Sequence, residues 1–378
     1  MNKKVTALFI ILFAGISLFA WFHFSQPEPP ICIGYISSLT GKYSVMGKTS
    51  RDGALMAIEE INASGGVNGR KLQLVIKDDQ SSPETTLTVA KQLIDQNVQA
   101  IIGPLTSASA IEIFDLINDK EVLTIGPVVA GDYMAQKEDF FIKMYPSTSL
   151  FGEKLGKLAV SSKGLKRLAI ISDDSNLAYT TPFAASFEEK VNELGGEVIE
   201  SIHFKSQNKL SFSKLADVIL AKSPDGLLLV TAPLSTAIIL QQLRLKGSNI
   251  QCFSSSWAAS KELITEGGSA VEGILLYLPF NPKSTQPNYT QFSNNYKDRF
   301  ATEPNVCSSF NHNAVFMLAD ALKKSSKGSP KKLNELVIEG SPYKGTQGEF
   351  NVDKNGDGHG KFFLQTIKNG QFVVIDTP

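Results

Sequence analysis

Apolar runs typical of buried strands alternate with segments of helical periodicity along most of the chain. The first such run, "CIGYISS" (32–38), is followed at 50–62 by apolar residues at helical spacing. The runs "KLQLVIKDD", "VQAIIG" and "VLTIGP" then predict three more strands, with helices between them. Strands that alternate with helices of this length form parallel sheets covered on both faces.

A second set of alternating elements begins near residue 151. Its predicted strands are "RLAIISDD", "EVIESIHF" and "DGLLLVTA", and its predicted helices cover about 151–160, 182–194, 212–221 and 235–246. About 350 residues are also too many for one typical hydrophobic core. The pattern therefore predicts an α/β protein with two doubly wound lobes.

The first 24 residues have a different pattern. Lys3 and Lys4 precede an uncharged, mostly apolar run from 5 to 24, which is long enough to cross a membrane. We expect an uncleaved anchor at 1–24 with its positive end in the cytoplasm, followed by a linker at 25–31 and an exported remainder. Removal as a signal peptide after Ala20 is the alternative.

Charge and motif content argue against several classes of protein. Lys plus Arg and Asp plus Glu both number 37, so nothing in the balance favours a nucleic acid as partner. The chain has no HExxH, GxSxG or P-loop motif, its four histidines are scattered, and its three cysteines have no CxxC spacing. We therefore expect a protein that is not an enzyme and uses neither a metal nor a cofactor.

The segment "DKNGDGHGKFFL" (353–364) partly matches a calcium-binding loop. Asp353, Asn355 and Asp357 occupy the first, third and fifth positions, but Leu364 stands where a bidentate Glu should be. No helical pattern flanks the segment. The favoured interpretation is a turn between the strands "GEFNV" and "KFFLQTI".

The stretch "AIIGPLTSASAIE" (100–112) ends a buried strand and opens a helix. Ligands of open α/β sheets bind at such strand ends, and Ser107 is the expected N-cap, with free backbone N–H groups after it. A phosphate loop would contain several glycines and a Lys, which are missing here. The stretch therefore favours one carboxylate, held by Ser107 and the first amides of the helix. A helix cap without any ligand is the alternative.

Several motifs, in order, resemble the periplasmic leucine/isoleucine/valine-binding proteins. The opening "IGYISSLTGKYSVMGKTSRDGALMAIEEINASGGVNGRKLQLVIKDDQSSP" is similar to the start of that family, and "IIGPLTSAS", "RLAIISDD", "LAY", "AVEGILLYLP" and "YKGTQGEFNVDKNGDG" continue the match. The resemblance covers about residues 32–376. It implies a type I substrate-binding protein of an ABC importer, which traps a small amino acid or related carboxylate by closing a cleft.

The resemblance also implies an organisation for the molecule. Two Rossmann-like lobes would be joined by three crossovers, with lobe 1 at 32–147 plus 279–352 and lobe 2 at 148–278 plus 353–378. The protein would be a periplasmic monomer, tethered to the inner membrane or cleaved and soluble, and its partner would be an ABC permease. A membrane-tethered ligand sensor built on the same fold is the alternative.

The family's binding residues can be carried over only in part. Ser107 matches the residue that holds the ligand carboxylate, and Tyr179 matches a second-lobe tyrosine if two inserted residues are allowed. Ala130 and Thr231 stand where branched-chain binders have a Thr and an aromatic residue, and no acid occurs at 254–257 to meet an ammonium group. The expected ligand-binding residues are Ser107, Thr106, Val128, Ala130, Tyr179, Thr231, Ser256, Trp257 and Tyr43. For Trp257, ordinary core packing is the alternative.

Overall fold

The computed structural model describes residues 28–205, 211–325 and 330–376, and the statements below concern these ranges. The predicted anchor at 1–24 and residues 25–27 of the predicted linker lie outside the described residues. In the described part of the chain, no helix is both long and apolar enough to cross a membrane.

The first sheet has five parallel strands in the order β2-β1-β3-β4-β5. The strands are β1 (Ile31–Ser37), β2 (Leu72–Asp78), β3 (Ile101–Ile102), β4 (Thr124–Gly126) and β5 (Phe141–Lys143). The helices between them are α1 (Ser44–Ala63), α2 (Pro83–Asp95) and α3 (Ser107–Asp119). The strand order reverses between β1 and β3, and such a switch point is where open α/β sheets bind ligands.

Both faces of this sheet are covered. In β1, Ile33 and Tyr35 belong to the core under α1, whereas Ile36 belongs to the core under α2 and α3. Successive side chains of a strand point to opposite faces. A strand covered on both sides is therefore apolar without a break, as the sequence pattern indicated.

The second sheet has seven strands in the order β15-β14-β10-β9-β8-β6-β7. The strands β6 to β10 are parallel, and β14 and β15 are antiparallel at one edge. They are β6 (Arg167–Asp173), β7 (Glu197–Phe204), β8 (Gly226–Val230), β9 (Gln251–Ser254), β10 (Leu275–Leu278), β14 (Phe363–Lys368) and β15 (Gln371–Asp376). The helices of this part are α4 (Thr148–Lys157), α5 (Leu177–Glu193), α6 (Phe212–Ala221), α7 (Pro233–Leu245) and α8 (Lys261–Gly267).

The chain then returns to the first sheet before it ends on the second. Helices α9 (Pro287–Phe300), α10 (Val306–Ser325) and α11 (Leu333–Gly340) precede a small sheet of β11 (Tyr343–Gly345), β12 (Gly348–Val352) and β13 (Gly358–His359). Strand β13 pairs with β12, and Phe363 is the first residue to pair in the second sheet. The division into lobe 1 at 32–147 plus 279–352 and lobe 2 at 148–278 plus 353–378 stays a proposal.

The Asp353–Asp357 segment is a turn between β12 and β13. The Oδ1 atom of Asp353 accepts hydrogen bonds from the backbone N–H groups of Asn355 and Asp357, at 2.9 and 3.0 Å. Asp357 is paired with the buried Lys143, at 3.2 Å. Among the described residues, no group of three His, Cys, Asp or Glu side chains could hold a metal ion.

Candidate functional site

A small cavity lies between the two large sheets, at the carboxyl ends of their parallel strands. The space open to the centre of a water molecule is about 40 Å³, about three times the minimum that one water molecule needs. The lining residues come from both halves of the molecule: Tyr43, Met46, Leu105, Thr106, Ser107, Val128, Tyr145, Asn176, Tyr179, Ser256, Trp257, Ala259, Val306 and Cys307. The first sheet's switch point contributes Leu105, Thr106 and Ser107, in the loop after β3.

Helix α3 begins one residue earlier than expected, because its N-cap is Thr106. Thr106 has extended backbone angles (φ −109°, ψ 153°), and its Oγ1 atom accepts the backbone N–H of Ser109 at 3.1 Å. Ser107 is the first helical residue. The expectation that Ser107 caps the helix was therefore wrong, since its side chain is engaged elsewhere.

The hydroxyl of Ser107 joins the two loops that the sequence placed at the site. Its Oγ atom accepts the backbone N–H of Gly131, at 3.0 Å, and the residue is only 2% exposed. Because Gly131 occupies an acceptor position of Oγ, the hydroxyl hydrogen remains able to donate. Ser107 is thus arranged as a donor to an anionic or carbonyl oxygen in the cavity.

The second half of the molecule closes the cavity with the start of α5. The Oδ1 atom of Asn176 accepts the backbone N–H of Ala108, in the first turn of α3, at 3.1 Å. The hydroxyls of Tyr179 and Ser256 are 3.0 Å apart and form a hydrogen bond. Both lobes therefore supply polar groups to one small enclosure.

Three aromatic side chains form one wall of the cavity. The ring centroid of Trp257 lies 5.8 Å from that of Tyr43 and 5.7 Å from that of Tyr179, in tilted and edge-to-face contacts. The Tyr43 hydroxyl is 3.3 Å from the Ser175 hydroxyl. Burial raises the pKa of Tyr43 and Tyr179, so both phenols are neutral at physiological pH.

Seven of the nine predicted ligand residues line the cavity, and Ala130 and Thr231 do not. Ala130 is fully buried, and its carbonyl accepts the backbone N–H of Thr148 at 2.9 Å. The hydroxyl of Thr231 lies 2.6 Å from that of Thr236, in the first turn of α7. Thr231 is thus hydrogen-bonded within the second lobe, and Ala130 lies in the hydrophobic core.

Sequence reasoning missed the other seven lining residues: Met46, Leu105, Tyr145, Asn176, Ala259, Val306 and Cys307. Asn176 carried a local signal, since Asn before an apolar helical segment is typical of a helix start. Tyr145 lies in the first crossover, and Val306 and Cys307 begin α10. Their proximity to Ser107 depends on the tertiary fold.

The cavity offers hydrogen bonds but no formal charge. In the part of the chain that the structure describes, all fourteen lining residues are of uncharged types. Burial raises the pKa of Cys307 to about 12, so its thiol is neutral as well. A ligand anion would therefore be held by uncharged donors such as the Ser107 hydroxyl, at the start of α3, where the helix dipole favours negative charge.

The molecule has two α/β lobes, and the cavity lies between the ends of their strands. This is the architecture of a two-lobe binding protein. The family model described as "Periplasmic binding protein" matches residues 30–371, and the chain belongs to this family. It is 24% identical, over 99% of its own length and 97% of the relative's, to the leucine-, isoleucine-, valine-, threonine- and alanine-binding protein of Pseudomonas aeruginosa. The resemblance to leucine/isoleucine/valine-binding proteins is thereby confirmed.

Solved structures show the same fold. A leucine binding protein from Thermotoga maritima is 26% identical, with a TM-score of 0.85, and the match covers 92% of this chain and 98% of that one. A solute binding protein of an ABC transporter from R. palustris, in complex with benzoate, is 17% identical with a TM-score of 0.83, over 92% and 96% of the two chains. The family consists of substrate-binding proteins rather than enzymes.

Proposed function

We propose that this protein is the extracytoplasmic solute-binding component of an ABC importer, and that it captures a small carboxylate by cleft closure. The observation that carries this proposal is the cavity at the strand ends of both sheets, where the Ser107 hydroxyl is available as a donor. A ligand that contacts both lobes stabilises only the closed arrangement, so binding shifts the population towards it. The closed form would then dock on a permease.

The ligand class follows from the lining of the cavity. The Ser107 hydroxyl, at the N-terminal end of α3, suits a carboxylate, and the aromatic wall suits an apolar or aromatic body. No carboxylate side chain lines the described cavity to pair with an ammonium group. We propose that the ligand is a carboxylate with an uncharged aliphatic or aromatic body, and that it binds more tightly than basic amino acids.

The relatives support the class of ligand without fixing its identity. One relative is named for leucine and four other amino acids, and one protein of the same fold holds benzoate. The fold thus accommodates different small carboxylates, and the residues at the cavity decide between them.

The proposed location is the periplasm, with residues 1–24 as a membrane anchor and the binding unit as a monomer. The apolar run at 5–24 and the relatives' family support this location. Cell fractionation followed by N-terminal sequencing tests it. A membrane-bound protein that begins at Met1 is expected, and a soluble protein that begins after Ala20 would contradict the anchor.

Replacing Ser107 by Ala tests the site. We expect the affinity for carboxylates without an ammonium group, such as benzoate or 4-methyl-2-oxopentanoate, to fall at least about tenfold, because a hydrogen bond to a charged group contributes about 1.5–3 kcal/mol. Isothermal titration calorimetry on the purified full chain measures the change. Ser64→Ala, at an exposed position after α1, is the matched control. Equal affinities in wild type and Ser107→Ala would overturn the site assignment.

A further inference from the structure

Asn176 is a buried polar residue that lines the cavity and has one half of its amide engaged. It is 4% exposed, immediately precedes α5 and belongs to the cavity lining. Its Oδ1 atom accepts the Ala108 backbone N–H, at 3.1 Å. This hydrogen bond crosses from the second lobe to the first, so it exists only when the lobes are closed.

The orientation of the Asn176 amide follows from the chemistry of its partner. A backbone N–H can only donate, so the atom next to Ala108 must be the carbonyl oxygen Oδ1. The nitrogen Nδ2 then occupies the other branch of the amide, and it has no hydrogen-bond partner among the residues described. Its two N–H donors are therefore available to a ligand.

Both lobes therefore present donors at the same cavity. The Ser107 hydroxyl donates from the first lobe, because Gly131 already occupies an acceptor position of its oxygen, and the Asn176 Nδ2 group donates from the second. A carboxylate oxygen that accepts from Ser107 leaves the Nδ2 group for a second acceptor. An oxygen beside the carboxylate can fill that position, whereas an ammonium group carries donors alone and would meet Nδ2 donor to donor.

We infer that Asn176 is a specificity-determining residue that selects carboxylates with an adjacent oxygen acceptor, namely 2-oxo acids, over the corresponding 2-amino acids. The inference rests on the proposed function, since it takes the cavity to be the ligand site. Asn176 would then have two roles. Its Oδ1 atom holds the lobes together through the Ala108 N–H, and its Nδ2 group donates to the second oxygen acceptor of the ligand.

Calorimetric titration of the full chain with matched ligand pairs tests the inference. The pairs are 4-methyl-2-oxopentanoate with leucine and pyruvate with alanine, which share their carbon skeletons. We expect wild type to bind the oxo acid at least tenfold more tightly in each pair that binds. Asn176→Asp keeps an acceptor for Ala108 but replaces the donor by a second oxygen, so the ratio of oxo-acid to amino-acid affinity should fall at least tenfold. Asn192→Asp, an exposed site on the same helix, adds the same charge and should leave the ratio unchanged.

A second variant keeps the test decisive if Asn176→Asp does not fold. Asn176→Ala removes the donor without adding charge, and it should move the affinity ratio towards one. A wild type that prefers the amino acid, or a ratio that neither variant changes, would overturn the inference. Binding of benzoate that depends on Ser107 but no binding of either pair would also overturn it while leaving the proposed function intact. Failure of every carboxylate to bind would contradict both.

Discussion

At the scale of single residues, Gly131 lies at a close contact between the two lobes. Its backbone angles (φ −59°, ψ 137°) are ones that any residue adopts. A Cβ atom at Gly131 would nevertheless lie 2.7 Å from the Ala178 carbonyl oxygen and 2.9 Å from Cβ of Ser107. The absence of a side chain is thus a requirement of the contact between the lobes.

Gly131→Ala is therefore expected to hinder closure at the Ala178 carbonyl, and its Cβ atom would also press on Ser107 within the first lobe. The affinity for benzoate or 4-methyl-2-oxopentanoate should fall at least about tenfold, since the closed state that traps the ligand becomes less populated. Calorimetry gives the affinity, and small-angle scattering with excess ligand gives the compactness. Wild-type affinity together with wild-type compaction would contradict the importance of this contact.

Asp139 gives the stability of the protein a dependence on pH. Burial raises its pKa to about 6. One carboxylate oxygen accepts the Phe141 N–H at 2.7 Å, and Oδ2 is buried without a hydrogen-bond partner. A carboxyl whose folded pKa lies above its unfolded value opposes folding once it ionises. Its ionisation therefore lowers the stability as the pH rises from about 4 to about 6.

Asp139→Asn should remove this effect, since Asn keeps an acceptor for Phe141 and carries no charge. We expect equal stabilities at pH 4 and a variant that is more stable at pH 7 by about 1–2 kcal/mol, a value reduced for partial solvent screening. Urea denaturation at both pH values measures this, with Asp119→Asn on α3 as the exposed control. A variant less stable than wild type at pH 7 would contradict the account.

At the scale of elements, the residues just before and at the start of α5 form the closing face of the second lobe. Ser175 contacts Tyr43 beside α1, Asn176 contacts Ala108 in α3, and the Ala178 carbonyl lies next to Gly131. The sequence predicted that this helix begins at about Pro182, a residue type that is favoured in the first turn of a helix. The helix starts at Leu177 with Pro182 inside it. Pro182 has no N–H to bond the Ala178 carbonyl four residues earlier, and that carbonyl faces the first lobe.

A buried ion pair connects the first crossover to the β12–β13 turn. Lys143, at the end of β5, is 1% exposed and lies 3.2 Å from Asp357. Its ammonium group also donates to the Ser147 hydroxyl at 2.9 Å. Asp357 accepts the Gln136 backbone N–H at 2.7 Å. Removing one partner of such a pair leaves an uncompensated buried charge.

Lys143→Met should therefore lower the free energy of unfolding by about 3–5 kcal/mol. The double variant Lys143→Met/Asp357→Asn should recover part of this loss, because Asn carries no charge and still accepts the Gln136 N–H. Urea denaturation of wild type, both single variants and the double variant gives the coupling energy. A double variant no more stable than Lys143→Met would show that the buried charge is not the cause.

At the scale of the whole molecule, the sequence predicted the architecture far better than the cavity. Strands covered on both faces, such as β1 and β8, appear as unbroken apolar runs, and local periodicity detects these directly. Ser107 could be proposed because it follows such a strand at a position where ligands bind. Tyr145 and Cys307 carry no such signal, since only the packing of distant segments brings them to the cavity. The N-cap of α3 is Thr106 rather than the predicted Ser107, because the hydroxyl of either of these neighbouring residues can cap a helix.

The central claim is that a carboxylate bound at Ser107 closes the two lobes on the cavity, and Trp257 can report this directly. The chain has two tryptophans, Trp21 and Trp257, so Trp21→Phe leaves the cavity residue as the only one. We propose titrating this variant with benzoate, 4-methyl-2-oxopentanoate and leucine while recording tryptophan emission. The account predicts that benzoate or 4-methyl-2-oxopentanoate changes the tryptophan emission in a saturable way, and that this change is lost when Ser107→Ala is added. An emission that none of these ligands changes, or a change that survives Ser107→Ala at the same concentrations, would contradict it.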